Sequence, residues 1–295
     1  MASQALRLVR GYVGLTKPAI LLLVIFTGLP VLWMTAHAAP PAWLALAILG
    51  GTALAAAAAN TLNCYIERER DALMERTRSR PLPSAQLRPA QALGFGVALA
   101  ILSTAILWAA GGALAAALGV ASILFYVFVY TVWLKPRSPW NAVVGGAAGA
   151  AAPLIADAAV NGHVGPAGWL LFAIIFFWQP PHVWAIALFR KQDYARAGIP
   201  MLPNVIGDQP TRWRMLWYTL ALVPVTLAPL PLGLLGPLYG VAAVALDGWF
   251  VWHGVRVLRE RSDAAARRMF HVSLLYLFAL FGAMLLDLAV GPFRP

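Results

Sequence analysis

Long apolar stretches alternate with short polar breaks along this chain. Runs of spanning length recur at 15–36, 42–66, 88–110, 113–132, 139–158, 166–188, 212–229, 231–255 and 268–290. Each is close to the ~20 residues that an α-helix needs to cross a hydrocarbon core. The pattern predicts an all-α, multi-pass membrane protein with about nine transmembrane helices and a single membrane-embedded domain over 1–295. Pro and Gly crowd 224–236, so the division of 212–255 is the least defined.

The polar residues between these runs are unevenly shared. With the N-terminus inside, one side collects Arg7, Arg10 and Lys17, the six arginines from Arg68 to Arg88, and Lys135 with Arg137. It also takes Arg190, Lys191, Arg196, Arg212 and Arg214, then Arg256, Arg259, Arg261, Arg267 and Arg268. That is 21 of the 22 basic residues, with Arg294 on the other side. Basic residues favour the cytosolic side of a bilayer, so this count predicts N-in, C-out orientation for an odd number of spans. The opposite connections, HAAPP near 37–41, GG at 111–112, the 157–165 turn and PLPLGLLGP near 229–237, carry almost no charge. Chemistry is therefore expected at the cytosolic face. AHA at 36–38 imitates a signal cleavage site, but the apolar run before it approaches spanning length, which favours retention as the first span. The absence of an arginine- and serine-rich transit segment favours a bacterial plasma membrane.

Composition narrows the class further. A chain that is 61% hydrophobic and 11% charged has too little polar surface to coat a soluble globule. The formal charge of +11 is explained by topology, so no nucleic-acid partner is expected, and membrane lipid is the surrounding medium. One cysteine, Cys64, excludes an intramolecular disulfide and offers no metal-site spacing.

Charge is concentrated in one place. Of the 22 basic and 11 acidic residues, nine fall between Glu67 and Arg80, in NCYIERERDALMERTRSRPLP, directly after an alanine-rich run. At about 100° per residue, Asn60, Asn63, Glu67, Asp71 and Met74 share one helix face. Hard cations such as Mg²⁺ take oxygen ligands and combine one or two carboxylates with substrate phosphates. On charge alone the run also reads as a solvated helix end with local ion pairs. Two features favour a site: polar residues continue inward through Asn63 and Asn60, and Arg76, Arg78 and Arg80 follow as a phosphate-binding cluster would. A second long loop resembles the first. Each has an acid at a helix end, Asp71 or Asp193, and a proline turn, RPLP at 80–83 or IPMLP at 199–203. The two acids lie 122 residues apart, which suggests two four-helix units plus a ninth helix.

NCYIERERDALMERTRSRPLP resembles the first signature of the UbiA superfamily of intramembrane prenyltransferases, and within it the branch that farnesylates protohaem. LTKPAI at 15–20, YTVWLKPRSPWNAVVGGAAGAAAP at 130–153 and FFWQPPHVWAIALFRKQDYARAGIPMLPNVIG at 176–207 extend the likeness over most of 15–207. The last three spans share only hydropathy with it. The resemblance implies a helical bundle around a central cavity open to the cytosolic side. It also implies Mg²⁺ as cofactor, farnesyl diphosphate and haem b as substrates, and a haem A synthase or terminal oxidase assembly factors as partners. It implies metal ligation by Asn63, Glu67, Asp71 and Asp193, with Tyr194 beside them. Diphosphate contacts would come from Lys17, Arg76, Arg80, Lys135 and Lys191. Acceptor contacts would come from His182, Trp184, Tyr130 and Asn141. The chain departs from the family pattern at Glu67 and Glu69, where aspartate is usual; the extra methylene moves the carboxylate by about 1.3 Å.

Each assignment has a plainer counterpart on residue type alone. Lys135, Lys191 and Asp193 also read as juxtamembrane anchors, and His182 beside a Pro-Pro pair as a packed helix residue. Asp247, Asp287, His253 and His271 carry no motif and are left as polar packing or unknown contacts. Two alternative activities stand beside haem farnesylation: prenylation of an aromatic acid or quinone precursor, and membrane transport, since intramembrane polar groups and paired half-repeats also occur in transporters.

Overall fold

The computed structural model of the protein describes residues 2–34 and 40–290, with side chains from Leu6 onward. The AHA triplet at 36–38, most of the 37–41 turn and Arg294 lie outside the described residues.

Every described element is helical. α1 (Ala2–Thr16) and α2 (Pro18–Gly28) are separated by Lys17, whose φ of 56° and ψ of 70° are left-handed, and the chain bends there by 47°. Pro18 disfavours right-handed helical geometry at the residue before it. A short α3 (Val31–Met34) continues the segment. α4 (Ala42–Ala72) has 31 residues and so measures about 46 Å, longer than the ~30 Å hydrocarbon core. Its last turns therefore carry Glu67 and Asp71 towards the edge of the apolar layer.

α5 (Pro89–Leu124) passes without a loop into a π-helical segment, Phe125–Leu134. At Gly112, φ 76° and ψ −175° interrupt the helix. Only glycine adopts that backbone readily. The two halves fold back on one another, so that Leu107 presses on Gly119 and the pairs Thr104 with Val120 and Ile101 with Ile123 line one groove. The next segment is broken twice, into α6 (Asn141–Val144), α7 (Gly146–Gly149) and α8 (Ala152–Asn161). Then come α9 (Pro166–Phe189), which contains Pro180 and Pro181, and the short α10 (Lys191–Arg196) and α11 (Leu202–Ile206). α12 (Asp208–Leu227), α13 (Pro237–Glu260) and α14 (Asp263–Val290) complete the bundle.

Among the described residues, six helices are long and apolar enough to cross a membrane, or seven if the bent pair around Lys17 is one span. The difference from nine has two physical sources. The expected 88–110 and 113–132 spans are both present, folded back on each other at Gly112, and enter that count as one run because no loop separates them. α12 carries Asp208, Arg212 and Arg214 in its first two turns, which keeps it out of that count.

Two aspartates left as polar packing or unassigned in the sequence hold the weakly charged end of the bundle together. Asp157 of α8, fully buried, accepts hydrogen bonds from the backbone N–H of Gly165 (2.8 Å) and Gly168 (3.1 Å) and from Asn161 Nδ2 (2.7 Å). Asp287 of α14 accepts from the N–H of Gly236 (2.6 Å) and Tyr239 (3.1 Å). The first N–H groups of a helix have no partner within it. Each carboxylate supplies that partner from a neighbouring helix, to α9 and α13 respectively. Asp247 is held within the bundle by Tyr276 Oη and Thr226 Oγ1, both donating at 2.6 Å.

Candidate active site

The oxygen-bearing face of α4 is buried although it lies near a membrane boundary. Asn63 and Glu67 are 2% exposed and Asp71 is 1% exposed. Burial on that scale is expensive for charge unless partners are supplied. Lys135, just past the π-helical segment, donates to Glu67 Oε2 at 2.6 Å. Arg80, in the loop after α4, donates to Asp71 Oδ2 at 2.7 Å. Burial works against the charge of Lys135, but the Glu67 carboxylate reverses the balance and raises its pKa. Arg80 follows the same logic against Asp71 and is also raised. Both cations stay charged at any physiological pH.

Further in, the Asn63 amide is fixed at both ends. It accepts from Lys17 Nζ at 2.9 Å and donates to Thr131 Oγ1 at 3.1 Å. Asn60 donates to the Thr16 carbonyl at 3.1 Å. The break at Lys17 thus turns its side chain onto α4, a reason for that left-handed residue that the sequence did not disclose.

The second loop closes on the first. Met74, one turn beyond Asp71, packs with Tyr194, Ala197, Ile199 and Met201 in a buried cluster that also contains Ala187. Asp193, 6% exposed, is next to Tyr194 in this seam. Its nearest cations are Arg190 Nη1 at 3.9 Å and Arg196 Nη1 at 3.8 Å, both too long for hydrogen bonds. Lys191 donates to Asp208 Oδ1 at 2.8 Å, an acid that sequence reasoning missed. Arg76 is exposed.

Of the buried carboxylate oxygens, Asp71 Oδ1 and Asp193 Oδ2 have no hydrogen-bond donor, whereas Glu67 Oε1 shares the Lys135 ammonium at 2.6 Å. A buried acceptor of this kind normally finds a partner, and a hard cation suits the chemistry. Among the described residues, no three His, Cys, Asp or Glu side chains stand close enough to hold a metal by themselves. The donor set fits Mg²⁺ completed by phosphate and water oxygens, and does not fit an all-protein cage.

Beneath this polar mouth is a cavity of about 520 Å³, within the usual range for small-molecule sites. No charged side chain lines it. Tyr126 and Tyr130 form part of the wall near Lys135, whose Nζ is 5.7 Å from the Tyr130 ring centroid. Asn141 lines it and donates to the Ser138 carbonyl at 2.7 Å. His182 also lines it, stacked between Trp178 (4.6 Å) and Phe270 (4.7 Å). Its Nδ1 is 2.7 Å from Ser273 Oγ, and that hydroxyl gives its one proton to the Phe270 carbonyl at 2.6 Å. With the hydroxyl proton on that carbonyl, Nδ1 is the donor and the Nε2 lone pair is left free. Trp184 is not in the cavity wall. It is fully buried against Trp140 and Tyr218, and Trp178 takes the place expected of it.

An acid- and arginine-lined mouth over an apolar, helix-walled cavity defines a membrane-embedded site for an amphiphilic phosphate ester. The chain belongs to the UbiA prenyltransferase family, whose model matches residues 21–282. Protoheme IX farnesyltransferase of Acidiphilium cryptum is 49% identical over 290 residues, covering 94% of this chain and 90% of its own. The protein of the same name from Symbiobacterium thermophilum is 46% identical over 286 residues, covering 96% of each. Among solved structures, one described as digeranylgeranylglyceryl phosphate synthase in membranes superposes with a TM-score of 0.79 at 17% identity, over 95% of this chain and 98% of its own. A UbiA homologue from Archaeoglobus fulgidus bound to GPP and Mg²⁺ gives 0.63 at 16% identity, over 93% and 99%. These last two likenesses concern the fold.

Proposed function

We propose that the protein transfers the farnesyl group of farnesyl diphosphate to a vinyl group of haem b, with addition of water, giving haem O and diphosphate. The observation that carries this reading is the pair of buried, donor-free carboxylate oxygens on Asp71 and Asp193, together with an uncharged cavity lined by Asn60 of the same helix as Asp71, in a chain 49% identical to a protoheme IX farnesyltransferase.

Asn63, Glu67, Asp71 and Asp193 would hold Mg²⁺, which when bound neutralises the diphosphate and makes it a better leaving group. Arg80, Lys135, Lys17, Arg76 and Lys191 bind the diphosphate oxygens. For Arg80 and Lys135 this means exchanging carboxylate for phosphate, so the ion pairs on Asp71 and Glu67 keep the site charged and poised between turnovers. Stabilising the leaving group lets the allylic C–O bond ionise. The apolar cavity receives the farnesyl chain and excludes water from the first cation. Tyr130, Asn141 and the free Nε2 of His182 meet the porphyrin.

The chain acts as one unit crossing a bacterial plasma membrane nine times, N-terminus inside, with its mouth towards the cytosol. The distribution of arginines and lysines supports this orientation. The test is purified protein in nanodiscs with Mg²⁺, haem b and farnesyl diphosphate, and mass analysis of the extracted haem. The expected product is haem enlarged by one farnesyl and one hydroxyl group. Transfer to 4-hydroxybenzoate with none to haem b would overturn the assignment of the acceptor.

A further inference from the structure

The reaction above needs water at one step only, and the cavity must hold that water away from the first cation. We propose that Gln179 is the residue that positions it, an inference that rests on the farnesyl transfer argued above.

Gln179 lines the cavity one helical turn from His182, on the same face of α9 and about 4.5 Å further from the charged end. Its amide packs against the two glycines of α7. The amide oxygen sits 2.7 Å from where a Cβ of Gly146 would stand, and the nitrogen is closer still to that of Gly149. Any side chain at either glycine would push the amide away. The two glycines therefore form a cradle for this one group.

Other polar side chains of the wall donate to the protein. Thr52 bonds the Ile48 carbonyl, Ser122 that of Gly119, the amides of Asn60 and Asn141 donate as described, and His182 Nε2 is taken by the porphyrin. The Tyr126 and Tyr130 hydroxyls stand on the Lys135 side. Among the described residues the Gln179 amide has no hydrogen-bond partner. An amide in an apolar cavity needs one. A trapped water needs two or more polar partners, and the oxygen and nitrogen of the Gln179 amide supply an acceptor and a donor.

The step balances without a further reagent. The terminal vinyl carbon bonds to C1 of the farnesyl cation after the C–O electron pair has left with diphosphate. Positive charge then rests on the substituent carbon attached to the porphyrin. Gln179 Oε1 accepts one water O–H, which turns a lone pair of that water towards this carbon. The C–O bond forms, and the surplus proton leaves with the diphosphate. Without a held water, the same cation loses a proton from the adjacent CH₂ and gives a conjugated alkene, lighter than the hydroxylated product by one water.

The test compares wild-type protein with Gln179→Leu, Gln179→Glu and Gly149→Ala in the haem assay, resolving both adducts by mass. The ratio of hydroxylated to dehydrated adduct should fall about tenfold in Gln179→Leu, the value of one lost hydrogen bond to the reacting water. It should fall likewise in Gly149→Ala, and recover in Gln179→Glu, which keeps an acceptor oxygen. An unchanged ratio in Gln179→Leu overturns the proposal. So does parallel loss of both adducts in Gln179→Leu and Gly149→Ala, which would make Gln179 a residue of folding or of farnesyl transfer. Failure of the wild type to form any farnesyl adduct is a different result and removes the underlying reaction instead.

Discussion

Breaking the Glu67–Lys135 pair separates a structural role from a catalytic one. At 2.6 Å and an effective dielectric of about 20, the gross attraction is about 6 kcal/mol. Desolvation offsets much of it, because Glu67 is 2% and Lys135 15% exposed. Removing one partner leaves the other charge buried and alone, and Glu67→Gln or Lys135→Met should each lower stability by about 3 kcal/mol. Replacing both removes both charges, so the double variant should recover most of that stability. Turnover should behave differently. If Lys135 meets the diphosphate and Glu67 holds the cation beside it, each single variant loses about 10²–10³ in kcat, and the double variant regains none of it. Thermal unfolding in detergent gives the first quantity and single-turnover release of diphosphate the second. A double variant that recovered turnover along with stability would refute the catalytic reading and leave the pair as a helix-to-helix clamp.

Other outcomes follow from the same geometry. Asp71→Ala should abolish turnover while the protein still inserts and purifies, read as haem adduct per mole of folded protein; retained activity would remove Asp71 from the metal site. Chelation of Mg²⁺ should stop diphosphate release reversibly, and re-addition should restore it, whereas chelator-resistant activity would assign the anion to Arg80 and the lysines alone. Ser273→Ala removes the acceptor that fixes His182, so haem affinity in an absorbance titration should weaken about tenfold; an unchanged titration would mean that Nε2 does not meet the porphyrin.

Much of this architecture was legible from residue order, and the exceptions have physical causes. Hydropathy located the apolar segments because bilayer thickness fixes their length. It also placed the reversal between the 88–110 and 113–132 spans at GG 111–112, where Gly112 takes the positive φ that turns the chain without a loop. The α4 ladder was readable from the helical period, as was the pairing of the two proline-containing loops, here joined through Met74 and Tyr194. Partners were not readable. Lys135 and Arg80 were expected on diphosphate, and the structure turns each onto a carboxylate. Trp184 and Trp178 are both tryptophans beside a proline pair, and only their rotation about α9 decides which one faces the cavity. Gln179 lies within FFWQPPHVW but carries no signal of its own, because its glycine cradle belongs to another helix.

The two aspartate caps at the sparse end of the bundle give it the mechanics of a cantilever. α9 is clamped at Gly165 and Gly168 by Asp157, and its far end leads into Asp193 after 24 helical residues, about 36 Å. A tilt of roughly three degrees at the clamp moves that far end by about 2 Å, and misplacements of about 1 Å in a catalytic constellation are felt as large losses of rate. Side chains at the clamp never approach a substrate, yet they set the aim of an acid on the opposite side of the membrane.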